Sequence, residues 1–233
     1  MKTHLLALAI VGAVCSISRS QSPKEVALYE KLTNGPKSVE ALETVLKAPE
    51  EYSALILYIA ASEAFKKERL EDTGFLFYAG RLRARFDKEC FPPKGTGGDS
   101  PFVLLSALSQ QLGSAINPAL MAKPLIFEKS IARVKAWTPK ASPEYDPGYE
   151  FTMRKLEKDA TEAVRANRND FVDGMTGLAK LLNDADYFAA FRIVQAFNLG
   201  SDDIRPTEQE SEKAKESMKQ IEKDKKLKGI FSN

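Results

Sequence analysis

Apolar residues recur at spacings of three and four along most of this chain, and no stretch alternates long enough to build a sheet. Between Leu70 and Glu89, for example, Phe75, Tyr78, Leu82 and Phe86 repeat at these spacings. Such a pattern predicts amphipathic helices with one buried face. We therefore expect an all-α fold, a single multi-helix domain of antiparallel helix pairs. It would be bundle-like or an irregular helical repeat, because no repeat of fixed period is found.

Proline and glycine divide this helical pattern into segments. The two longest breaks, residues 91–101 and 138–148, are both rich in these residues and predict loops. Between them a turn is predicted at Asn117-Pro118, and after them a charged helix is predicted from Tyr149 to Arg168. Residues 207–233 are dense in both acids and bases, so we expect a charged helical or disordered tail after a helical domain at 21–206.

The first twenty residues have the pattern of a secretory signal peptide. Lys2 precedes an uncharged apolar run from Leu5 to Cys15, and small residues offer cleavage after Ser20 or after Cys15. The run is too short to span a bilayer, which takes about 20 apolar residues. We expect residues 1–20 to be removed and the protein to be secreted or periplasmic. A lipoprotein anchored at Cys15 is the less favoured alternative.

Removal of this segment would change the charge and the chemistry of the chain. The full sequence has 34 Lys and Arg against 32 Asp and Glu, and residues 1–20 hold two of the bases and no acid. The remaining chain is therefore formally neutral, whereas nucleic-acid binders normally carry a strong basic excess. We expect neither a nucleic-acid partner nor a transmembrane segment in the mature chain.

Several classes of active site lack the residues they need. The only histidine, His4, lies in the predicted signal peptide, and Cys90 would be the only cysteine left. Catalytic triads, cysteine–histidine pairs and histidine or cysteine metal sites are therefore not supported. We expect no metal and no cofactor, and we expect Cys90 to be a partly buried small hydrophobic residue rather than an intermolecular bridge or a nucleophile. An exported, non-catalytic binding or adaptor protein with a protein partner fits this inventory better than an enzyme does.

One weak candidate binding site is the glycine-rich loop before a predicted helix. Backbone amides of Gly95, Gly97 and Gly98 could bind an anion ahead of the helix N-terminus, although Asp99 would repel one. The alternative is a flexible connection between two helices.

A second weak candidate is a basic strip on the helix predicted from Leu70 to Glu89. Arg81 and Arg85 are four residues apart and share a face, while Arg83 lies about 200° round the helix from either. The strip could face an acidic partner, or it could be a helix flank paired with neighbouring acids.

The second loop suggests an alternative, enzymatic function. Glu144, Asp146 and Glu150 lie among tyrosines, and two carboxylates beside aromatic rings can cleave a glycoside. The alternative hypothesis is thus a carboxylate-based enzyme that acts on glycans through the 144–150 loop. The structural interpretation of the same loop is that its tyrosines, Tyr145 and Tyr149, hold it against the helices.

Overall fold

The computed structural model describes residues 22–95, 97, 100–140, 142–155, 157–200, 205–227 and 229–230. The predicted signal peptide, its cleavage sites, Cys15 and Gly98 lie outside these residues. The described residues form the predicted all-α fold, with nine α-helices packed in one domain. In chain order they are α1 (Pro23–Thr33), α2 (Ser38–Lys47), α3 (Ala54–Lys66), α4 (Leu70–Cys90), α5 (Pro101–Met121), α6 (Pro124–Ala136), α7 (Glu157–Leu182), α8 (Ala185–Leu199) and α9 (Glu208–Lys225).

Helix α4 lies at the centre of the packing. It contacts α3, α5, α6 and α7, and its predicted apolar face is buried as expected. Two glycines let its neighbours approach: a β-carbon at Gly74 would lie 2.5 Å from the Ser130 hydroxyl on α6, and one at Gly80 would lie 2.9 Å from the Tyr58 ring on α3. Among the described residues, no helix combines the length and apolar character needed to cross a bilayer.

Serine–proline pairs begin two of the helices, as the sequence predicts. The Ser22 hydroxyl accepts a hydrogen bond from the Glu25 amide at the start of α1, and the Ser100 hydroxyl accepts one from Phe102 at the start of α5. In each case the following proline occupies the first turn, where its missing N–H costs nothing.

The turn predicted at Asn117-Pro118 is wrong, because α5 continues through it to Met121. Proline has a helical φ, so it removes one hydrogen bond without forcing the chain to turn. Ile116 and Leu120 are both buried on either side of it, which favours continuing the helix. The Pro118 carbonyl also accepts a hydrogen bond from Gln195 of α8.

The helix predicted from Tyr149 to Arg168 begins only at Glu157. The residues before it instead bond to the end of α4 and to the chain just after it. The Thr152 amide donates to the Pro92 carbonyl at 2.8 Å, and the Lys155 amide donates to the Cys90 carbonyl at 2.8 Å. These partners lie about 60 residues away in sequence, so local periodicity cannot reveal them.

The charged C-terminal segment contains α9, which packs against α8. Thr207 and Glu210 form a capping box at its start, and Met218 is fully buried. The Tyr187 hydroxyl of α8 donates to the Glu222 carboxylate at 2.8 Å, inside this contact. The division at residue 206 into a domain and a tail stays a prediction.

Candidate functional site

Two clefts lie side by side between α4 and α5. The inner cleft has a volume of about 340 Å³ and the outer cleft one of about 710 Å³. Because Lys88, Phe102, Ser106 and Gln110 line both of them, the clefts form one continuous surface, which we call the α4–α5 groove.

Three cationic side chains of α4 form one wall of the inner cleft. Arg81, Arg85 and Lys88 follow one another at spacings of four and three, which places them in a single stripe about 10 Å long. Arg81 is half-buried, whereas Arg85 and Lys88 are exposed. Among the described residues, no carboxylate oxygen lies within 4.0 Å of any of these three cations.

An aromatic ring from α7 holds the two arginines in place. The guanidinium carbons of Arg81 and Arg85 lie 5.3 and 5.6 Å from the centre of the Phe171 ring. Contacts of this kind attract a guanidinium to the ring and contribute about 0.5–1 kcal/mol at exposed sites. The ring thus helps to position the two arginines, and among the described residues no hydrogen bond occupies their N–H donors.

The opposite wall comes from α5 and changes character along the groove. Ser106, Ser109 and Gln110 give the inner cleft polar side chains, and the buried Tyr58 of α3 lies at its base. Burial raises the pKa of the Tyr58 phenol, which is therefore neutral. The outer cleft is more apolar, with Val103 49% exposed between Phe102 and Ala107.

The outer cleft is closed by the chain that leaves α4. Pro92 and Pro93 line it together with Lys155, which comes from the extended segment before α7. Glu89 is the one acidic residue among its lining residues. The groove therefore carries four cations and one carboxylate, in a part of the surface that no described ion pair neutralises.

The sequence analysis named Arg81 and Arg85 as a strip on this helix but not Lys88. The two arginines share a face of α4, and no carboxylate among the described residues forms an ion pair with either of them. Lys88 continues the stripe one turn after Arg85, and the spacing alone could have identified it. The identity of the opposite wall could not be read from α4, because it depends on which helix packs there.

Arg83 lies on the opposite side of α4 and is fully buried. Its Nε is 2.9 Å from the Asp87 carboxylate and donates to the Tyr145 hydroxyl at 2.8 Å. Its Nη1 donates to the backbone carbonyls of Glu50 and Lys140. This one side chain therefore ties α4 to the turn before α3 and to the loop after α6.

The tyrosines of the second loop complete this network. Tyr145 donates to the Asp87 carboxylate at 2.7 Å, and Tyr149 donates to the backbone carbonyls of Asp87 and Phe91. Burial raises the pKa of Asp87 to about 6, while Arg83 and the Tyr145 hydrogen bond lower it in part. The structural interpretation of the loop is confirmed, since both tyrosines are buried against α4.

A second buried acid joins α1 to α3. The Glu25 carboxylate accepts hydrogen bonds from the amide and the hydroxyl of Ser53, at 2.8 and 2.9 Å. Burial raises the pKa of Glu25 to about 7, with the Ser53 hydrogen bonds lowering it in part. Both oxygens of its carboxyl group are therefore used in the contact between α1 and the start of α3.

The three carboxylates of the enzymatic hypothesis are spread along the second loop. Glu144 is exposed, and Asp146 accepts a hydrogen bond from the Gly148 amide at 2.8 Å. Glu150 is exposed and forms an ion pair with Lys94 at 3.0 Å. None of the three lines the α4–α5 groove, and this catalytic assignment stays a prediction.

The glycine-rich loop meets the second loop through Pro93 and Lys94. Pro93 and Phe151 form an antiparallel bridge, beside the Lys94–Glu150 ion pair. Gly95 and Gly97 are exposed, and the Gly97 carbonyl accepts a hydrogen bond from the Ser100 amide. Anion binding at these glycines is likewise untested.

Cys90 is fully buried at the end of α4, more completely than the partial burial expected from the sequence. Across the part of the chain that the structure describes, no three His, Cys, Asp or Glu side chains are grouped so as to hold a metal ion. Comparison with protein-family models, with curated proteins and with solved structures finds no match to this chain.

Proposed function

We propose that this chain is an exported, non-catalytic binding protein that holds a protein partner in the α4–α5 groove. The observation that carries the proposal is the stripe of Arg81, Arg85 and Lys88, three cations in a groove without a carboxylate within 4.0 Å among the described residues. Charges of one sign that line a cleft attract and orient a partner of opposite charge.

The shape of the groove favours a macromolecular partner over a small molecule. The exposed side chains of Arg85, Lys88, Ser106 and Gln110 leave it open to solvent along the two helices. Small-molecule sites instead enclose most of their ligand. An open groove between two helices is the setting in which partner segments are bound through side chains at helical spacing.

The placement of the titratable groups supports a non-catalytic role. Asp87, Tyr145 and Tyr149 hydrogen-bond to one another or to backbone carbonyls inside the protein, and none of them lines the groove. Their raised pKa values follow from burial. Perturbed pKa values mark active sites only when they face a cleft, and of the described groups with a raised pKa only Tyr58 lines the groove, where burial keeps its phenol neutral.

A crosslinking experiment tests the groove. A photo-crosslinking amino acid at Gln110 should capture a partner in cells, whereas the same amino acid at Ser217, exposed on α9, should not. Adding Arg85→Glu to the Gln110 variant should abolish that capture. Equal capture from both positions, or capture that survives Arg85→Glu, would contradict a partner in the groove.

Export is tested separately by the N-terminus of the protein in the cell. We expect the protein in the extracellular or periplasmic fraction to begin at Gln21 or Ser16. Protein that stays in the cytoplasm with Met1 at its N-terminus would contradict export, without bearing on the groove.

A further inference from the structure

We infer that the groove takes an acidic polypeptide segment that also carries an apolar side chain. Its carboxylates would face Arg81 and Arg85 in the inner cleft, and its apolar side chain would lie against Val103 in the outer cleft. This inference rests on the proposed function, because it names the chemistry of the partner that the same groove would hold.

The arginine pair selects carboxylates at a definite spacing. Arg81 and Arg85 are one helical turn apart, which corresponds to about 6 Å along α4. Both guanidinium carbons lie near the same ring, 5.3 and 5.6 Å from the centre of Phe171, and an arginine can take a carboxylate in a two-bond contact. Two acidic residues one turn apart on a partner helix match that spacing.

The outer cleft accounts for the apolar part of the partner. Val103 is 49% exposed, and Phe102, Ala107 and the prolines Pro92 and Pro93 surround it. An aliphatic side chain placed there would remove apolar surface on both molecules from water. A simple anion bound at the arginines would leave this surface unfilled.

The same cleft argues against a nucleic acid as the ligand. A phosphate chain needs cations along its whole path, since each neutralised phosphate adds to affinity. Here the cationic stripe gives way to apolar residues, and the outer cleft is lined by the acidic Glu89 as well as by Lys155. A polypeptide can change from acidic to apolar within two helical turns, which matches the change of this groove from cationic to apolar.

The test uses the full chain and synthetic probes read by fluorescence anisotropy. The first probe is a labelled alanine-based helical peptide with two glutamates four positions apart and leucines one and two turns further on. It is used in both sequence directions, with a glutamine counterpart and a short oligothymidylate as comparisons. We expect the better glutamate peptide to bind about tenfold more tightly than its glutamine counterpart in 50 mM salt, and less tightly in 300 mM salt.

Matched variants then locate the binding. Arg81→Gln with Arg85→Gln should weaken the glutamate peptide about tenfold, whereas Lys129→Gln with Arg192→Gln should leave it unchanged. The control removes the same charge from exposed sites on α6 and α8. Val103→Gln, at a half-exposed site that tolerates a polar side chain, should weaken the peptide severalfold.

Three results would overturn the inference. The first is equal binding of the glutamate and glutamine peptides. The second is an affinity for the glutamate peptide that Val103→Gln leaves unchanged. The third is an oligothymidylate that binds as tightly as the peptide through the same arginines. None of these would remove a partner captured by crosslinking from Gln110. If the glutamate peptide fails to bind but crosslinking at Gln110 still captures a partner, the inference of an acidic segment is rejected. The groove then remains the proposed binding site.

Discussion

Replacing Arg83 by methionine should destabilise the protein far more than the loss of an ordinary helix ion pair. An exposed pair four residues apart on a helix contributes about 0.3–0.5 kcal/mol. Arg83 and Asp87 have the same spacing, but their side chains are 0% and 1% exposed. Removing one partner of such a buried pair leaves the other charge uncompensated, which costs about 3–5 kcal/mol.

The loss of stability caused by Arg83→Met should depend on pH. Burial already raises the pKa of Asp87 to about 6 with Arg83 in place, and without the guanidinium this pKa should rise further. The native variant would then hold a proton on Asp87 that the unfolded chain releases above its ordinary pKa of 3.8. Stability of the variant should therefore fall as pH rises, by up to about 1.4 kcal/mol per pH unit for one proton.

Urea unfolding of the full chain at pH 5 and pH 8 measures both effects. We expect Arg83→Met to lose about 3–5 kcal/mol at pH 8 and clearly less at pH 5. Adding Asp87→Asn should restore at least about 1 kcal/mol at pH 8, because it removes the unpaired charge. Arg192→Met, at an exposed arginine of α8, should stay within about 0.5 kcal/mol of the parent. A loss below about 1 kcal/mol for Arg83→Met, or a double variant as unstable as the single at pH 8, would refute the reasoning.

Four further substitutions test other contacts by urea unfolding and, for the last of them, by hydrogen exchange. Burial raises the pKa of Glu25 from 4.5 to about 7, so native Glu25 keeps its proton longer than unfolded Glu25 and stability falls as pH rises between these values. Glu25→Gln should remove up to about 3 kcal/mol of this pH dependence, and an unchanged slope would contradict it. Gly74→Ala should destabilise the protein, since the β-carbon would lie 2.5 Å from a buried hydroxyl on α6, whereas Gly174→Ala, with open space around it in α7, should stabilise it by up to about 1 kcal/mol. If Gly74→Ala were more stable than Gly174→Ala, α4 and α6 would not be held at this distance. Tyr187→Phe should cost about 1–3 kcal/mol and speed hydrogen exchange in α9, because it removes a donor from the buried Glu222 carboxylate. Unchanged exchange in α9 would argue against that contact.

The parts of the fold that depend on local spacing could be predicted from the sequence. The buried face of α4 and the serine–proline starts of α1 and α5 follow from neighbours within four residues in the sequence. The same angular argument separates Arg83 from Arg81 and Arg85, and the structure places them on opposite sides of α4.

The parts that depend on distant partners could not be predicted. Tyr149 to Lys155 looks helical in isolation, but its amides bond to carbonyls at Cys90 and Pro92. The partners of Arg83 in the second loop lie 57 and 62 residues away. The groove could not be predicted for the same reason, because its cations come from one helix and its apolar surface from another.

Arg83 lies on one side of α4 in buried surroundings, whereas Arg81 and Arg85 lie on the other side and line the groove. Arg83 is buried, paired with Asp87 and bonded to two other segments, so it fixes α4 and the second loop from the inside. Arg81 and Arg85 are then presented on a helix that cannot easily shift, with Phe171 behind them. A partner that binds such a wall loses little free energy to ordering it, since the side chains and the backbone are already placed. The buried network would in this way contribute to binding without touching the partner.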